Sequence, residues 1–344
     1  MIGKRASITA DARRPAGTAG CRTRSDMEAA PGAGQWLNSR AVQVALGGLW
    51  LLDGLLQLQP AMFGHGFIYN LYENDAVSQP SGLAHFLVSV VSFAEPHLLV
   101  WNTMFATVQL AIGVGFLVRR TVRVAIVASI AWALVVWVFG EGLGGLFTGI
   151  ATLVGGAPGA VLLYPLIGLS AWPGASVPGK GVPWHRAGGS IAELAARRSW
   201  AVLWIGGALL QLQPGYPYPA VLASTISMNL GGGEPALLVS LDTFLTRLVF
   251  QIGDPLAVGL ALLEASIGLA VLRRFHTRSF LGLGIAVSIL FWTVGQNFGG
   301  ILTGHATDPG SGPLFVLLAL TLFPAAGTML GHESRHLPTA GEST

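Results

Sequence analysis

The stretch "LWLLDGLLQLQP" (residues 49–60) returns as "LWIGGALLQLQP" (203–214), 154 positions later. Each copy is an apolar run closed by Gln-Leu-Gln-Pro. Proline blocks continuation of a helix, so each copy reads as the outer end of one, with Gln59 and Gln213 satisfying loose backbone there. The pattern extends outward from these two points. "QLAIGVGFLVRR" (109–120) is answered by "EASIGLAVLRR" (264–274), and "WVFGEGLGGLFTG" (137–149) by "WTVGQNFGGILTG" (292–304), 155 positions on. The apolar run after Gly155 has its counterpart in the Pro313–Leu322 region. Self-similarity at a constant offset is the mark of internal repetition, and the expectation is one unit written twice.

Composition says what solvent the unit meets. Of 344 residues, 52% are hydrophobic and 10% charged, with a mean hydropathy of +0.62; a soluble domain carries about 25% charged residues. Eight apolar stretches lie near 43–60, 97–118, 121–140, 158–172, 199–214, 254–272, 279–295 and 313–327. Several are shorter than the ~20 residues a spanning helix wants. Backbone in lipid must satisfy itself, which leaves helices or closed barrels, and these runs lack the alternation of barrel strands. The expected fold class is therefore an all-α integral membrane protein, with eight transmembrane helices as two parallel four-helix repeats. Four spans per unit is an even number, so both copies share one orientation about an axis along the membrane normal. The expected divisions are a disordered basic tail (1–40), repeat 1 (41–172), a linker (173–197), repeat 2 (198–328) and a second tail (329–344).

Lys and Arg set the topology. With eight spans, Lys4, Arg5, Arg13, Arg14, Arg22, Arg24 and Arg40 share one side with Arg119, Arg120 and Arg123. Lys180, Arg186, Arg197, Arg198, Arg273, Arg274, Arg278 and Arg335 fall there too, and only Arg247 falls opposite. Both termini are expected to be cytoplasmic, in an inner membrane. The outer loops, 61–96 and 215–253, contain the apolar pieces 83–94 and 236–250, which read as short helices at the outer interface or packed over the bundle mouth. The first 40 residues lack the apolar core of an ordinary signal peptide, and Met27 is an alternative start to Met1.

Several chemistries find no support. The single cysteine, Cys21, excludes an intramolecular disulfide or a CxxC pair. His65, His85, His97 and His305 belong to the outer side at spacings that match no metal motif, and no span carries the mid-membrane histidine that haem ligation between helices needs. No metal and no haem is expected. "GASVPGKG" (174–181) imitates a phosphate-binding loop, but Gly181 stands where Ser or Thr is required. Nothing resembles a nucleophile triad, and the basic loops carry no nucleic-acid signature.

What remains is polarity inside the membrane. Asp53 lies mid-span, with Gln57 one turn on along the same face; the equivalents are Gly207 and Gln211. Asn102, Ala106, Gln109 and Gly113 share a face answered by Ala257, Ala261, Glu264 and Gly268. Small residues around a polar group suit close helix packing, so Gln109 and Glu264 read either as interhelical glue or as ligand-facing, proton-handling groups. An intramembrane carboxylate costs several kcal/mol unless paired or protonated, and no Lys or Arg lies mid-span to pair with Asp53 or Glu264. The run Gly-Glu-Gly-Leu-Gly-Gly is a poor helix, at about 1 kcal/mol per glycine. Helices three and seven should unwind there, leaving Glu141, Gln296 and Asn297 either at an outer-face pocket or in a turn packed on a neighbour. Glu141 and Gln296 are expected to meet across the pseudo-twofold axis or to line equivalent pockets, and Trp137 and Trp292 to sit near the outer interface.

An apolar first helix, a second helix carrying Asn102, Phe105, Ala106, Gln109, Gly113 and Arg120, and a third running into a glycine-rich end resemble the DoxX/DoxD-like four-helix membrane family. Glu264, Gly268 and Arg274 carry the pattern in the second half, so the chain resembles a tandem duplication of that unit. The resemblance implies association with respiratory or sulfur-redox machinery, including thiosulfate:quinone oxidoreductase subunits, and fixes no catalytic residue. On that footing the expectation is a membrane subunit or anchor of a redox system rather than a stand-alone enzyme. A quinone would sit among Asp53, Gln109, Glu264, Glu141 and Gln296, and a redox partner protein would dock on the outer loops. The rival readings are a small-solute or proton-coupled transporter or channel, and a non-catalytic scaffold.

Overall fold

The computed structural model describes residues 39–64, 66–68, 76, 78–173, 189–213, 218–227 and 235–323. Residues 1–38 of the expected first tail, the second tail, most of the linker, the alternative start and His65 lie outside these, while Ser39 and Arg40 are helical. Among the described residues there are eleven α-helices and no strand. In chain order they are α1 (Ser39–Leu56), α2 (Ser81–Ala94), α3 (Leu98–Leu117), α4 (Val122–Phe139), α5 (Leu163–Ser170), α6 (Gly189–Gln211), α7 (Ala220–Ser227), α8 (Ala236–Ile252), α9 (Asp254–Leu272), α10 (Thr277–Val294) and α11 (Ser311–Leu322).

Each of the eight apolar stretches contains an α-helix among its described residues. Four helical segments are long and apolar enough to cross a membrane: Ser81–Leu117, Val122–Phe139, Asp254–Leu272 and Thr277–Val294. The first joins α2 to α3 through a 3-10 turn at Glu95–His97. Val90, Val91 and Ala94 of α2 close one side of an internal cavity. Large apolar side chains stay exposed along α3, α4, α6 and α9, as at Leu99, Val124, Val202 and Leu262. Contiguous exposed apolar surface on long helices marks a membrane protein.

Packing explains the shorter helices. α1 lies along α3 and α6 along α9, while α5 and α11 pack on each other at the centre. Leu163, Tyr164 and Ile167 of α5, and Leu314, Leu318 and Ala319 of α11, are almost wholly buried. A helix surrounded by other helices has no lipid to match, so it need not be 20 residues long. The α1–α3 contact is close: a Cβ on Gly47 would stand 3.0 Å from the Gly113 carbonyl oxygen. Such small-residue contacts let membrane helices pack without a hydrophobic force between them.

Basic residues at one end tie helices together. Arg40 donates to the Phe116 and Leu117 carbonyls at the end of α3, and Arg197 donates to the Val271 carbonyl at the end of α9 over 2.8 Å. A cation at a helix C-terminus satisfies orphan carbonyls and opposes the negative end of the dipole.

Candidate functional site

The two glycine-rich phrases each write a turn of left-handed helix. Gly142, Leu143, Gly144 and Gly145 have φ of 49°, 60°, 62° and 65°; Asn297, Phe298, Gly299 and Gly300 have 43°, 55°, 69° and 69°. This conformation costs about 1–2 kcal/mol for each residue bearing a Cβ, which accounts for the glycines. A Cβ on Gly144 would overlap the Pro158 carbonyl, and one on Gly299 the Pro309 carbonyl.

The turn aims side chains at the start of the next helix. Trp137 Nε1 donates to the Pro158 carbonyl (2.7 Å), and Trp292 Nε1 to that of Pro309 (2.6 Å). Glu141 Oε1 accepts from the Val161 N–H at 3.0 Å. Gln296 Oε1 accepts from the Ser311 N–H at 2.9 Å and from its hydroxyl at 3.1 Å. An amide and a carboxylate serve equally as acceptors for an orphan helix N–H, so this task does not require Glu141 to be charged. The two side chains line separate cavities, one in each half.

The first-half cavity measures about 140 Å³. Asp53, Gln57, Gln109 and Glu141 line it together with Tyr164 and Asp308, whereas Glu264 and Gln296, expected around the same ligand, lie in the second half instead. Tyr164 Oη donates to Asp53 Oδ2 at 2.6 Å, and Asp53 Oδ1 has no partner. Gln109 Oε1 and Trp132 Nε1 are likewise unpartnered. Gln57 and Asn102 satisfy each other: Gln57 Nε2 donates to Asn102 Oδ1, and Asn102 Nδ2 donates to the Gln57 carbonyl at 2.9 Å. That pair is interhelical glue between α1 and α3.

Asp308 reaches this cavity from the second half of the chain. Its Oδ1 accepts from the Gly310 N–H at 2.7 Å and its Oδ2 from the Thr307 hydroxyl at 3.0 Å. Burial pushes its carboxyl above the ordinary aspartate range, and those two donors pull it partly back. Among the described residues, no Lys or Arg lines the cavity.

In the second half the corresponding space is filled. Its cavity measures about 10 Å³, room for one water at most. Leu153, from the first half, enters it. Gln211 Nε2 donates to Glu264 Oε1 at 3.0 Å. A Cβ on Gly207 would stand 2.9 Å from Glu264 Oε2 and would overlap Leu153. Gly207 corresponds to Asp53, so Glu264 extends from α9 to the space an aspartate on α6 would take. The carboxylate changes helix but not place. Phe315 lines this cavity where Tyr164 lines the first.

The halves exchange loops symmetrically. Gln59 Nε2 donates to its own helix end at Leu56 and to the Ala306 carbonyl at 3.1 Å. Gln213 Nε2 donates to Leu210 and to the Ala151 carbonyl, also at 3.1 Å. Two residues beyond each tethered carbonyl comes the residue that enters the opposite cavity: Leu153 in one direction and Asp308 in the other. The second Gln-Leu-Gln-Pro glutamine thus does satisfy loose backbone, half of it belonging to the other unit. Tyr164, Asp308 and Leu153 are the cavity-lining positions that reading the sequence missed. Aligning Ala151 with Ala306, and allowing four fewer residues before Pro309, would have paired Leu153 with Asp308.

No family model matches the chain, and no curated protein or solved structure matches it.

Proposed function

We propose that the chain is an inner-membrane protein of eight spans, built from two parallel DoxX-like four-helix units by tandem duplication, with both ends cytoplasmic. The first unit binds a small solute and the second is a closed copy. The support for the architecture is the recurrence of whole contacts at corresponding positions: Trp137 and Trp292 on proline carbonyls, Gln59 and Gln213 on opposite loops. The support for the topology is the one-sided placement of Lys and Arg in the sequence.

Proton-coupled handling of a small solute accords best with this geometry. The observation that carries it is the lopsidedness of the two units. One retains a chamber of about 140 Å³ walled by Asp53, Glu141 and Asp308, while the other is filled by Leu153. Carboxylates facing an internal chamber in a membrane serve as proton carriers and ion partners. In liposomes containing a pH-sensitive dye, solutes from a panel of small amines, acids and sugars should drive proton movement through the protein. Asp53→Asn should abolish that movement while the protein stays folded.

A second reading keeps the chain as the membrane subunit of a redox system, with a quinone in the same chamber. Trp132 Nε1, an unpartnered donor in the wall, is the observation that favours it. About one quinone per chain in a lipid extract of the purified protein, with no solute-driven proton movement, would decide for this reading.

A further inference from the structure

We infer that the solute of the first-half chamber is a small organic cation, an ammonium group carried on an apolar body of about one ring. This rests on the reading of that chamber as a solute site, and it adds the charge and the chemical class.

The wall is acidic without compensation. Asp53, Glu141 and Asp308 face one chamber and, among the described residues, no Lys or Arg shares its lining. Glu141 and Asp308 arrive from glycine-rich segments of different halves and Asp53 from α1, so the three converge from separate parts of the chain. They are not gathered as a metal centre: among the described residues, no group of three His, Cys, Asp or Glu side chains is placed to hold a metal ion. A hard cation would want six or more oxygens, and here most of the wall is hydrocarbon.

The free hydrogen-bonding capacity points the same way. Asp53 Oδ1 and Gln109 Oε1 are acceptors without donors, on side chains only 3% and 7% exposed, against one donor without an acceptor, Trp132 Nε1. Buried acceptors of this kind are normally satisfied, and the group that satisfies both must donate. A neutral ligand whose only polar atoms are carbonyl oxygens would leave both unanswered. An ammonium supplies donors and charge together.

The rest of the wall suits the body of such a ligand. Trp101, Phe105 and Trp132 form a run of rings with centroids 6.3 Å and 5.7 Å apart, and Trp50 packs on Tyr164 at 4.4 Å. Aromatic faces attract cations through their quadrupole and are the usual cage for substituted ammonium groups. An apolar cavity of about 150 Å³ takes a benzene-sized molecule, and this chamber is about that size. The second unit serves as an internal comparison. There Glu264 accepts from Gln211 Nε2, its Oε2 likewise lacks a donor, and Leu153 takes up the space a ligand would need.

The test uses the full-length protein in lipid nanodiscs, with benzylamine as the probe and benzyl alcohol as its neutral isostere, read by isothermal titration and by tryptophan fluorescence. Benzylamine should bind at least about tenfold more tightly than benzyl alcohol at neutral pH. Asp53→Asn should remove that preference, and Asp308→Asn should reduce it; the second variant keeps the test valid if the first folds poorly. Equal binding of the two probes would overturn the cationic assignment and leave the chamber as a solute site. If neither probe binds, or if binding is the same in both variants, the chamber itself is not a solute site and both readings fall.

Discussion

Replacing Tyr164 with phenylalanine removes one oxygen from the centre of the bundle. That oxygen holds Asp53 Oδ2 at 2.6 Å, and Asp53 Oδ1 has no other partner. The variant therefore leaves a 97%-buried carboxyl (3% exposed) with neither oxygen bonded. The ring itself fits, since Phe315 lines the equivalent cavity. A hydrogen bond to a charged group contributes about 1.5–3 kcal/mol and one between neutral groups about 1, so the loss should be about 2 kcal/mol. Combining Tyr164→Phe with Asp53→Leu removes both members of the pair. Such replacements are often close to neutral, so the double variant should be more stable than Tyr164→Phe alone, with a coupling of about 1.5 kcal/mol. The measurement is equilibrium unfolding in mixed detergent micelles by titration with a denaturing detergent, followed by tryptophan fluorescence. If Tyr164→Phe lies within about 0.3 kcal/mol of the wild type, or if the two substitutions simply add, the pair is not what holds Asp53, and the derivation fails.

Other substitutions reach the remaining parts. Leu153→Ala should cost about 2–5 kcal/mol and enlarge the second cavity enough to admit a small apolar probe such as xenon; an unchanged cavity would show that Leu153 is not its plug. Gly144→Ala should abolish stable folding, because the new methyl would overlap the Pro158 carbonyl in a left-handed backbone. Gly206→Ala, with nothing near its Cβ position in α6, should instead stabilise by about 0.5–1 kcal/mol. Asp308 titrates above the ordinary aspartate range in the folded protein, so its protonated form favours folding. The stability of the wild type relative to Asp308→Asn should therefore fall as pH rises from about 4 through that raised value; a difference that grows with pH would contradict the burial of this carboxyl.

Much of this was legible in the sequence, for identifiable reasons. Hydropathy pointed to an all-helical chain with membrane-spanning helices because apolar length is a local property, and the offset between similar stretches is visible because the matching residues are identical. Asp53, Gln109 and Glu264 stood out because polar groups are rare in such runs. The glycines of 140–149 foretold irregular backbone but not its hand, since glycine permits either sign of φ. Tyr164 could not be chosen from its own segment, where it looks like one more large core residue. Asp308 and Leu153 act across the molecule, each about 150 positions from its correspondent, and four fewer residues in the second loop hide the alignment. Gln57 and Asn102 each stood out as polar groups in apolar runs, but their pairing between α1 and α3 was not legible. The division of such groups into glue and chamber wall depended on which acceptor each amide faces.

The exchange of loops has a genetic consequence. In a dimer of identical subunits, the residue closing each chamber would be the same, and neither chamber could be shut without shutting both. A single chain carrying both copies is free of that constraint, because the residue that enters each chamber is encoded in the opposite half. Leu153 and Asp308 stand at the two ends of that freedom. A substitution at 153 should be felt in the second half and one at 308 in the first. A deep mutational scan of this chain would therefore show its strongest couplings between positions about half a gene apart.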